Sequence, residues 1–194
     1  MLDIFEQTID EHLRVIQTLH DQRPTLERIA ARMSHAISEG RMILWCGNGG
    51  SAADAQHLAA ELVGRFLQER RGLPSIALTT NSSIVTAIGN DYGYEHIFRR
   101  QVESLCVPGD VVVGISTSGR SKNVFSALEA ARKIGAFTVA FTGQRTGDLG
   151  GIAHETLRIA STETPRIQEG HILCGHMLCD YIERCVCNAD SVGK

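Results

Sequence analysis

The hydrophobic positions of this chain change spacing in a regular order, from a helical period at the amino end to short apolar runs further on. The first stripe predicts a helix over the first twenty residues and consists of Phe5, Ile9, Leu13, Ile16 and Leu19. A second helix is predicted over residues 24–39, and Gly40 marks its end. These two helices either pack on their own domain or meet another subunit.

After Gly40, apolar runs alternate with helical patterns. The runs predict buried strands at 42–46, 75–78, 110–115, 137–142 and 157–159. Helices are predicted at 52–66, 82–89, 94–105, 123–134 and 165–187. This alternation is typical of an α/β three-layer sandwich, with a five-stranded parallel sheet flanked by helices on both faces. We expect a single domain over 1–194, with a helical part at 1–40 and the α/β core at 41–194.

The composition is that of a soluble globular protein and narrows the range of partners. Of the 194 residues, 43% are hydrophobic and 21% are charged, and a net charge of −3 gives no attraction to a nucleic-acid backbone. No apolar stretch reaches the roughly 18–20 residues that span a bilayer, and the acidic amino terminus is unlike a secretory signal. We therefore expect a cytoplasmic protein with no nucleic-acid or membrane partner.

The six cysteines contain no C-x-x-C pair, which argues against a zinc ribbon or a thioredoxin-type site. Four of them lie along the predicted final helix, namely Cys174, Cys179, Cys185 and Cys187. We expect reduced thiols that pack as small apolar side chains, as is usual inside cells.

A hydroxyl-rich glycine turn joins the run at 110–115 to the next helix and has the sequence Ser116-Thr117-Ser118-Gly119-Arg120-Ser121. At such a helix start, free backbone N–H groups and the positive end of the helix dipole favour an anion. Nothing in the turn favours an apolar ligand. We expect a phosphate monoester, held by Ser116, Thr117, Ser118 and Ser121.

A first glycine turn, Gly47-Asn48-Gly49-Gly50-Ser51-Ala52, satisfies the dinucleotide pattern G-x-G-x-x-A. A dinucleotide site also requires a carboxylate at the end of the next strand. That strand ends with Leu78-Thr79-Thr80-Asn81, which contains no carboxylate. The other interpretation is that this turn holds a sugar through Asn48, Ser51 and the backbone of its glycines. Because ligands bind at the carboxyl edge of parallel strands, the two turns together suit an open-chain sugar phosphate.

Four segments, at 48–57, 86–94, 116–121 and 167–171, resemble the phosphoheptose isomerases, enzymes of the sugar isomerase (SIS) domain family. The similarity extends over nearly the whole chain. It implies the SIS fold and the isomerisation of sedoheptulose 7-phosphate to D-glycero-D-manno-heptose 7-phosphate, the first step of ADP-heptose biosynthesis. It also implies a homotetramer with sites between subunits and, in some members, a bound zinc.

Four side chains are candidates for the chemistry. His57 and Glu61 are four residues apart, so they share one face of a helix, while Gln168 and His176 lie on the last helix. The resemblance implies that these four bind zinc and that Glu61 and His176 are the acid–base catalysts. On the helical wheel, His171 competes with His176, because they lie about 60° and about 80° from Gln168. The resemblance favours His176.

The chemistry leaves two schemes open, one with zinc as a Lewis acid and one with metal-free proton transfer between Glu61 and His176. We expect zinc. The expected substrate-binding residues are Asn48, Gly49, Gly50, Ser51, Glu61, Arg65, Asn90, Asp91, Ser116, Thr117, Ser118, Ser121 and Gln168. Arg65, one turn beyond Glu61, either counters negative charge at the site or is a surface charge. Residues 143–151 are expected to form a flexible loop.

Two other functions remain possible from the sequence. One is a non-enzymatic SIS regulator that binds the bacterial replication initiator, and the other is an isomerase for a different sugar phosphate. The resemblance implies that the regulators lack the full acid–base set. Because this chain keeps Glu61 and His176, an enzyme is favoured.

Overall fold

Helices and short strands alternate along the chain in the computed structural model, which describes residues 3–192 and the side chains of residues 3–188. The strands are β1 (Ile43–Gly47), β2 (Ser75–Ala77), β3 (Val111–Ile115), β4 (Phe137–Thr142) and β5 (Glu155–Arg158). The helices are α1 (Ile4–Gln17), α2 (Arg23–Ser38), α3 (Gly50–Val63), α4 (Ser82–Tyr92), α5 (Arg99–Leu105), α6 (Lys122–Ile134), α7 (Leu149–Ile152) and α8 (Thr164–Val192). Short 3-10 turns occupy Thr18–Gln22 and Tyr94–His96.

The five strands form one parallel sheet in the order β2-β1-β3-β4-β5. Successive residues of each strand point to opposite faces, so each strand contributes side chains to two hydrophobic cores, one on each face of the sheet. Trp45 and Val113 pack with α2, α3 and α8 on one face, whereas Leu44 and Val112 pack with α5, α6 and α7 on the other. The predicted three-layer α/β sandwich is confirmed.

The two amino-terminal helices differ in what they bury. Helix α2 packs into the core through Ile29, Met33 and Ile37, which are fully buried. Helix α1 lies against α8, where Arg166 donates a hydrogen bond to the Thr8 carbonyl (3.0 Å), but none of its own residues is buried. The predicted apolar stripe of α1 is therefore left largely exposed.

The ends of several helices differ from their predicted positions. Helix α3 ends at Val63 rather than residue 66, because Gly64 breaks it and the Glu183 carboxylate binds the next backbone N–H groups. Helix α4 runs three residues beyond 89, and the predicted helix at 94–105 is a 3-10 turn followed by α5. Strand β5 begins two residues before Leu157.

The expectation of a flexible loop at 143–151 is wrong at its carboxyl end, where α7 begins. The start of the segment is hydrogen-bonded to its neighbours, since Gly143 N–H donates to the Thr117 carbonyl (3.0 Å) and Gln144 N–H to the Ser161 carbonyl (2.9 Å). All six cysteines are free thiols, as predicted. Among residues 3–192, no helix combines the length and hydropathy needed to cross a bilayer.

Candidate active site

Both glycine turns lie at the same edge of the sheet. They follow β1 and β3, which are paired neighbours with Gly47 opposite Ile115 at their carboxyl ends. A cavity of about 480 Å³ lies between the turns and is lined by Asn48 from the first and Ser121 from the second. The predicted common rim is therefore present, with the dimensions of a small-molecule site.

The hydroxyl-rich turn leads into the amino end of α6, where Ser121 is the residue before the helix. The hydroxyls of Ser116 and Ser121 are hydrogen-bonded at 2.9 Å, so the two ends of the turn are tied together. Thr117 and Ser118 line a second cavity of about 250 Å³ together with Arg145. The hydroxyls of the turn thus line two cavities, with Ser121 in the first and Thr117 and Ser118 in the second. The hydroxyls and the Arg145 guanidinium make the second cavity a suitable environment for an anion.

The first turn is shaped by Gly49, whose φ of 56° lies in the left-handed region that favours glycine. Helix α3 begins at the next residue, and the Gln168 amide packs so closely on Gly50 that a Cβ there would overlap it. Ser51 is buried in the first turn of the helix. Gln168 therefore reaches the first glycine turn from α8, as expected of a residue at this site.

Three of the four candidate metal ligands converge. His57 Nε2 lies 2.9 Å from His176 Nε2 and 3.1 Å from a Glu61 oxygen, and the three donor atoms fall within 4.8 Å of one another. Helix α3 supplies His57 and Glu61 from one face, and α8 supplies His176. Donor atoms around tetrahedral zinc are about 3.3 Å apart, so this spacing fits the ion with little adjustment.

Comparisons with known proteins agree with this geometry. The SIS domain family profile matches residues 5–143. A phosphoheptose isomerase of Aquifex aeolicus is 53% identical over 184 residues, 95% of each chain. A solved phosphoheptose isomerase of Neisseria gonorrhoeae superposes with a TM-score of 0.88 at 41% identity, covering 93% of this chain and 97% of that one.

A second solved phosphoheptose isomerase, from Francisella tularensis, gives a TM-score of 0.91 at 36% identity over 94% of this chain and 98% of its own. The chain belongs to the phosphoheptose isomerase family of SIS domain proteins. The resemblance noted in the sequence is therefore confirmed, and so is the prediction that the chain is an enzyme. Membership of this family supports a heptose phosphate isomerase.

Burial and charge set the protonation of the groups near this family's site. Burial lowers the pKa of His176, the neighbouring His57 lowers it further, and Glu61 opposes both. Burial also raises the pKa of Asp54 to about 6, against an opposing effect of His57. Asp54 lies in the second turn of α3.

The competitor His171 has a different environment. It is fully buried, and its Nε2 is 3.0 Å from the Thr142 carbonyl at the end of β4. A carbonyl oxygen can only accept, so Nε2 carries a proton. Burial lowers the pKa of the imidazole to about 4, which favours its neutral form. Of these two histidines, only His176 belongs to the cluster with His57 and Glu61.

Some predicted substrate-binding residues are engaged with each other. Asn90 donates to the Asp91 carboxylate (2.8 Å) at the exposed end of α4. Arg65 lies beyond the end of α3, 3.7 Å from Glu69 and largely exposed, so it is not one helical turn beyond Glu61 as expected. The roles of these three side chains stay predictions.

Other residues of the site escaped the sequence analysis. Asn48 and Asn123 form a reciprocal pair of amide hydrogen bonds (2.9 and 2.8 Å), and the Tyr94 hydroxyl donates to the same Asn48 oxygen (3.0 Å). This pair joins the first glycine turn to the start of α6. Asn123 is buried and is 75 residues from Asn48, so no local pattern could have shown the contact.

Proposed function

We propose that the chain converts sedoheptulose 7-phosphate to D-glycero-D-manno-heptose 7-phosphate, the first step of ADP-heptose biosynthesis. The single observation that carries this proposal is the His57–Glu61–His176 cluster, two of whose members lie on α3, the helix that follows the first glycine turn. A base and an acid–base partner are what an aldose–ketose isomerase needs beside its substrate. The family comparisons supply the substrate class.

The substrate would lie along the rim between the two turns. Its phosphate would take hydrogen bonds from Ser116, Thr117, Ser118 and Ser121 and from the amino end of α6. Its hydroxyls would face Asn48, the backbone of Gly49 and Gly50, and Ser51. Asn90 and Asp91 would add contacts to the hydroxyls, with Arg65 and Gln168 close to the reacting end.

The proposed reaction moves one proton between adjacent carbons through an enediol. The Glu61 carboxylate takes a proton from C1 of the ketose, which gives the enediol, and returns it to C2 of the aldose. His176 moves the hydroxyl proton between O1 and O2, so that the carbonyl forms at C1. Burial lowers the pKa of His176, which favours the neutral imidazole that can accept that proton.

We propose that zinc is the bound metal, held by His57, Glu61 and His176, with the Gln168 amide as the fourth ligand. The first three donors have the identity and spacing that zinc requires. The proton transfers described above are those of the metal-free scheme, because a carboxylate or imidazole held by zinc is a weaker base. When bound, the ion would supply Lewis acidity to the oxygens of the substrate.

We also propose a homotetramer of one SIS domain per chain, in the cytoplasm. The exposed stripe Ile4, Phe5, Ile9 and Leu13 on α1 supports further assembly. An apolar cavity of about 360 Å³ beside it, lined in part by Ile16, Met177 and Tyr181, extends this surface. The free cysteines favour a reducing compartment.

Incubation with sedoheptulose 7-phosphate in deuterated water, followed by NMR, tests the activity. We expect aldose signals and deuterium at C2. If the ketose persists while another sugar phosphate is isomerised, the seven-carbon assignment is wrong. If no sugar phosphate reacts, the enzymatic proposal fails.

Metal analysis tests the zinc site in protein purified without chelator. We expect one zinc per chain and its loss in His57→Ala. His20→Ala, which alters an exposed histidine outside the cluster, should keep the metal. Zinc that persists in His57→Ala would place the ion elsewhere.

A further inference from the structure

A buried ion pair lies behind the proposed catalytic cluster and has no part in the chemistry described so far. The side chains of Arg70 and Glu183 are 1% and 0% exposed, and Arg70 Nε lies 3.1 Å from a Glu183 oxygen. Removing two charges from water costs about as much free energy as their attraction returns. A gain in net stability therefore does not explain why this pair is present. Its role is better inferred from the groups to which the two side chains are hydrogen-bonded.

The Glu183 carboxylate fixes the turn that follows α3. Its oxygens accept hydrogen bonds from the backbone N–H groups of Phe66 (2.9 Å), Leu67 (2.7 Å) and Gln68 (2.8 Å). Bonds to a buried charge are stronger than neutral ones, so the backbone of this turn is held firmly. The Phe66 ring in turn stacks on the His176 imidazole, with centroids 5.5 Å apart and planes 28° from parallel.

The Arg70 guanidinium fixes the end of α3 itself. It donates to the carbonyls of Glu61 (2.8 Å), Leu62 (2.8 Å) and Gly64 (2.9 Å). Carbonyls at the carboxyl end of a helix lack partners within the helix, and a cation there also interacts favourably with the helix dipole. The same ion pair thus holds the backbone of Glu61 and supports the ring beside His176.

Position along α8 completes the arrangement. Glu183 follows His176 by seven residues, two helical turns, so both side chains leave the same face of α8 toward α3. We propose that Arg70 and Glu183 are positioning residues that set the placement of His176 relative to Glu61. This inference rests on the proposed function, because it takes these two groups to be the proton-transfer pair.

The first test compares two variants that each alter one buried carboxylate. In Glu183→Gln, we expect kcat to fall about 10- to 100-fold with KM changed by less than about threefold, since misplaced catalytic groups slow the chemical step. Asp110→Asn is the matched control. Asp110 is also buried and accepts from the backbone N–H groups of Met42 and Val107 (both 2.8 Å), but it lies at the opposite edge of the sheet.

Both variants are assayed at temperatures where circular dichroism shows them folded. Asp110→Asn should lose stability but keep its kcat. If Glu183→Gln retains wild-type kcat, or if Asp110→Asn loses as much kcat as Glu183→Gln, the inference is overturned.

A second pair of variants decides the matter even if Glu183→Gln does not fold. Phe66→Leu keeps the backbone N–H that Glu183 binds but removes the ring beside His176, and we expect it to lower kcat. Phe66→Tyr keeps the ring and should recover most of that loss. Equal kcat values for Phe66→Leu and wild type would contradict the positioning role.

An NMR measurement separates this inference from the proposed function because it needs no substrate. The carbon-bound imidazole protons of His176, assigned with His176→Asn, are expected to be shielded by the ring current of the stacked Phe66 side chain. They should shift in Phe66→Leu and in Glu183→Gln but not in Asp110→Asn. Unchanged signals in both variants would overturn the positioning claim, whereas a wild type that isomerises no sugar phosphate would defeat the proposed function alone.

Discussion

Glu61 is held at two points. Its backbone carbonyl accepts from Arg70 (2.8 Å), and its carboxylate lies 3.1 Å from His57. Its side chain is only 22% exposed, so few solvent contacts compete with these neighbours. A carboxylate so constrained has the fixed direction that a general base requires.

Replacing Glu61 by Gln should therefore remove turnover while the fold remains. We expect kcat to fall about 10²- to 10⁴-fold, the usual contribution of a general base, with sugar-phosphate affinity largely unchanged. Isomerisation kinetics and thermal unfolding provide the measurement. Glu69→Gln is the control, because that side chain is 90% exposed; wild-type turnover in Glu61→Gln would show that the base is another residue.

His171 predicts a dependence of stability on pH. Burial lowers its pKa from 6.5 to about 4, with the Thr142 carbonyl opposing the shift. Between these values the unfolded chain binds a proton that the folded chain does not. The contribution is complete above pH 6.5 and is lost progressively as the pH falls toward 4. Between pH 7 and pH 5, the loss of this contribution should lower the free energy of unfolding by about 2 kcal/mol.

Denaturant unfolding of wild type and His171→Gln at both pH values measures this term. The variant keeps an amide donor for the Thr142 carbonyl but cannot titrate, so its loss of stability between pH 7 and pH 5 should be smaller. His20→Gln, at an exposed position, should behave as wild type does. An equal loss in wild type and His171→Gln would refute the assignment.

At the scale of elements, the hydroxyl-rich turn depends on the segment that follows β4. Gly119 has a φ of 66°, and a Cβ there would overlap the Thr146 carbonyl. The turn thus has two reasons to require glycine, its own backbone conformation and the close approach of a neighbouring backbone.

Gly119→Ala should cost about 1–3 kcal/mol of stability and weaken phosphate binding, because the turn must move away from residue 146. Gly151→Ala is a suitable control, since a Cβ at that position meets nothing within 4 Å. Thermal unfolding and titration with inorganic phosphate report both effects. Unchanged phosphate affinity in Gly119→Ala would argue that the anion binds elsewhere.

The sequence predicted the helices and strands correctly where burial determines them. It misplaced their ends where contacts with distant residues determine them. The run at 137–142 coincides with β4, whose Val139, Ala140 and Phe141 are fully buried, because a strand covered on both faces is largely apolar. The end of α3 depends instead on Glu183, whose contact with Phe66 spans 117 residues. A local stretch of sequence cannot show a contact between residues so far apart.

The site shows the same division. His57 and Glu61 could be paired from their spacing, and both turns from their glycines and hydroxyls. Helical angles could not choose between His171 and His176, since the choice depends on which of them faces α3. The family resemblance favoured His176, and the 2.9 Å contact with His57 agrees.

At the scale of the whole molecule, the apolar face of α1 requires a partner if the proposed tetramer forms. Phe5 belongs to that face and is 79% exposed. Phe5→Glu should dissociate the assembly, because a charge buried at an apolar interface lacks compensation. Light scattering after size exclusion measures the mass. Gln7→Glu, on the other side of the helix, should leave it unchanged; a Phe5→Glu protein of wild-type mass would exclude α1 from the interface.

The position of α8 after every strand has a consequence for synthesis. His57 and Glu61 leave the ribosome early, but His176 and Glu183 emerge only after the whole sheet has been translated. A nascent chain can therefore form its sheet before α8 supplies His176 to the catalytic cluster. Catalytic competence would then appear only after α8 has been translated and has docked on the sheet.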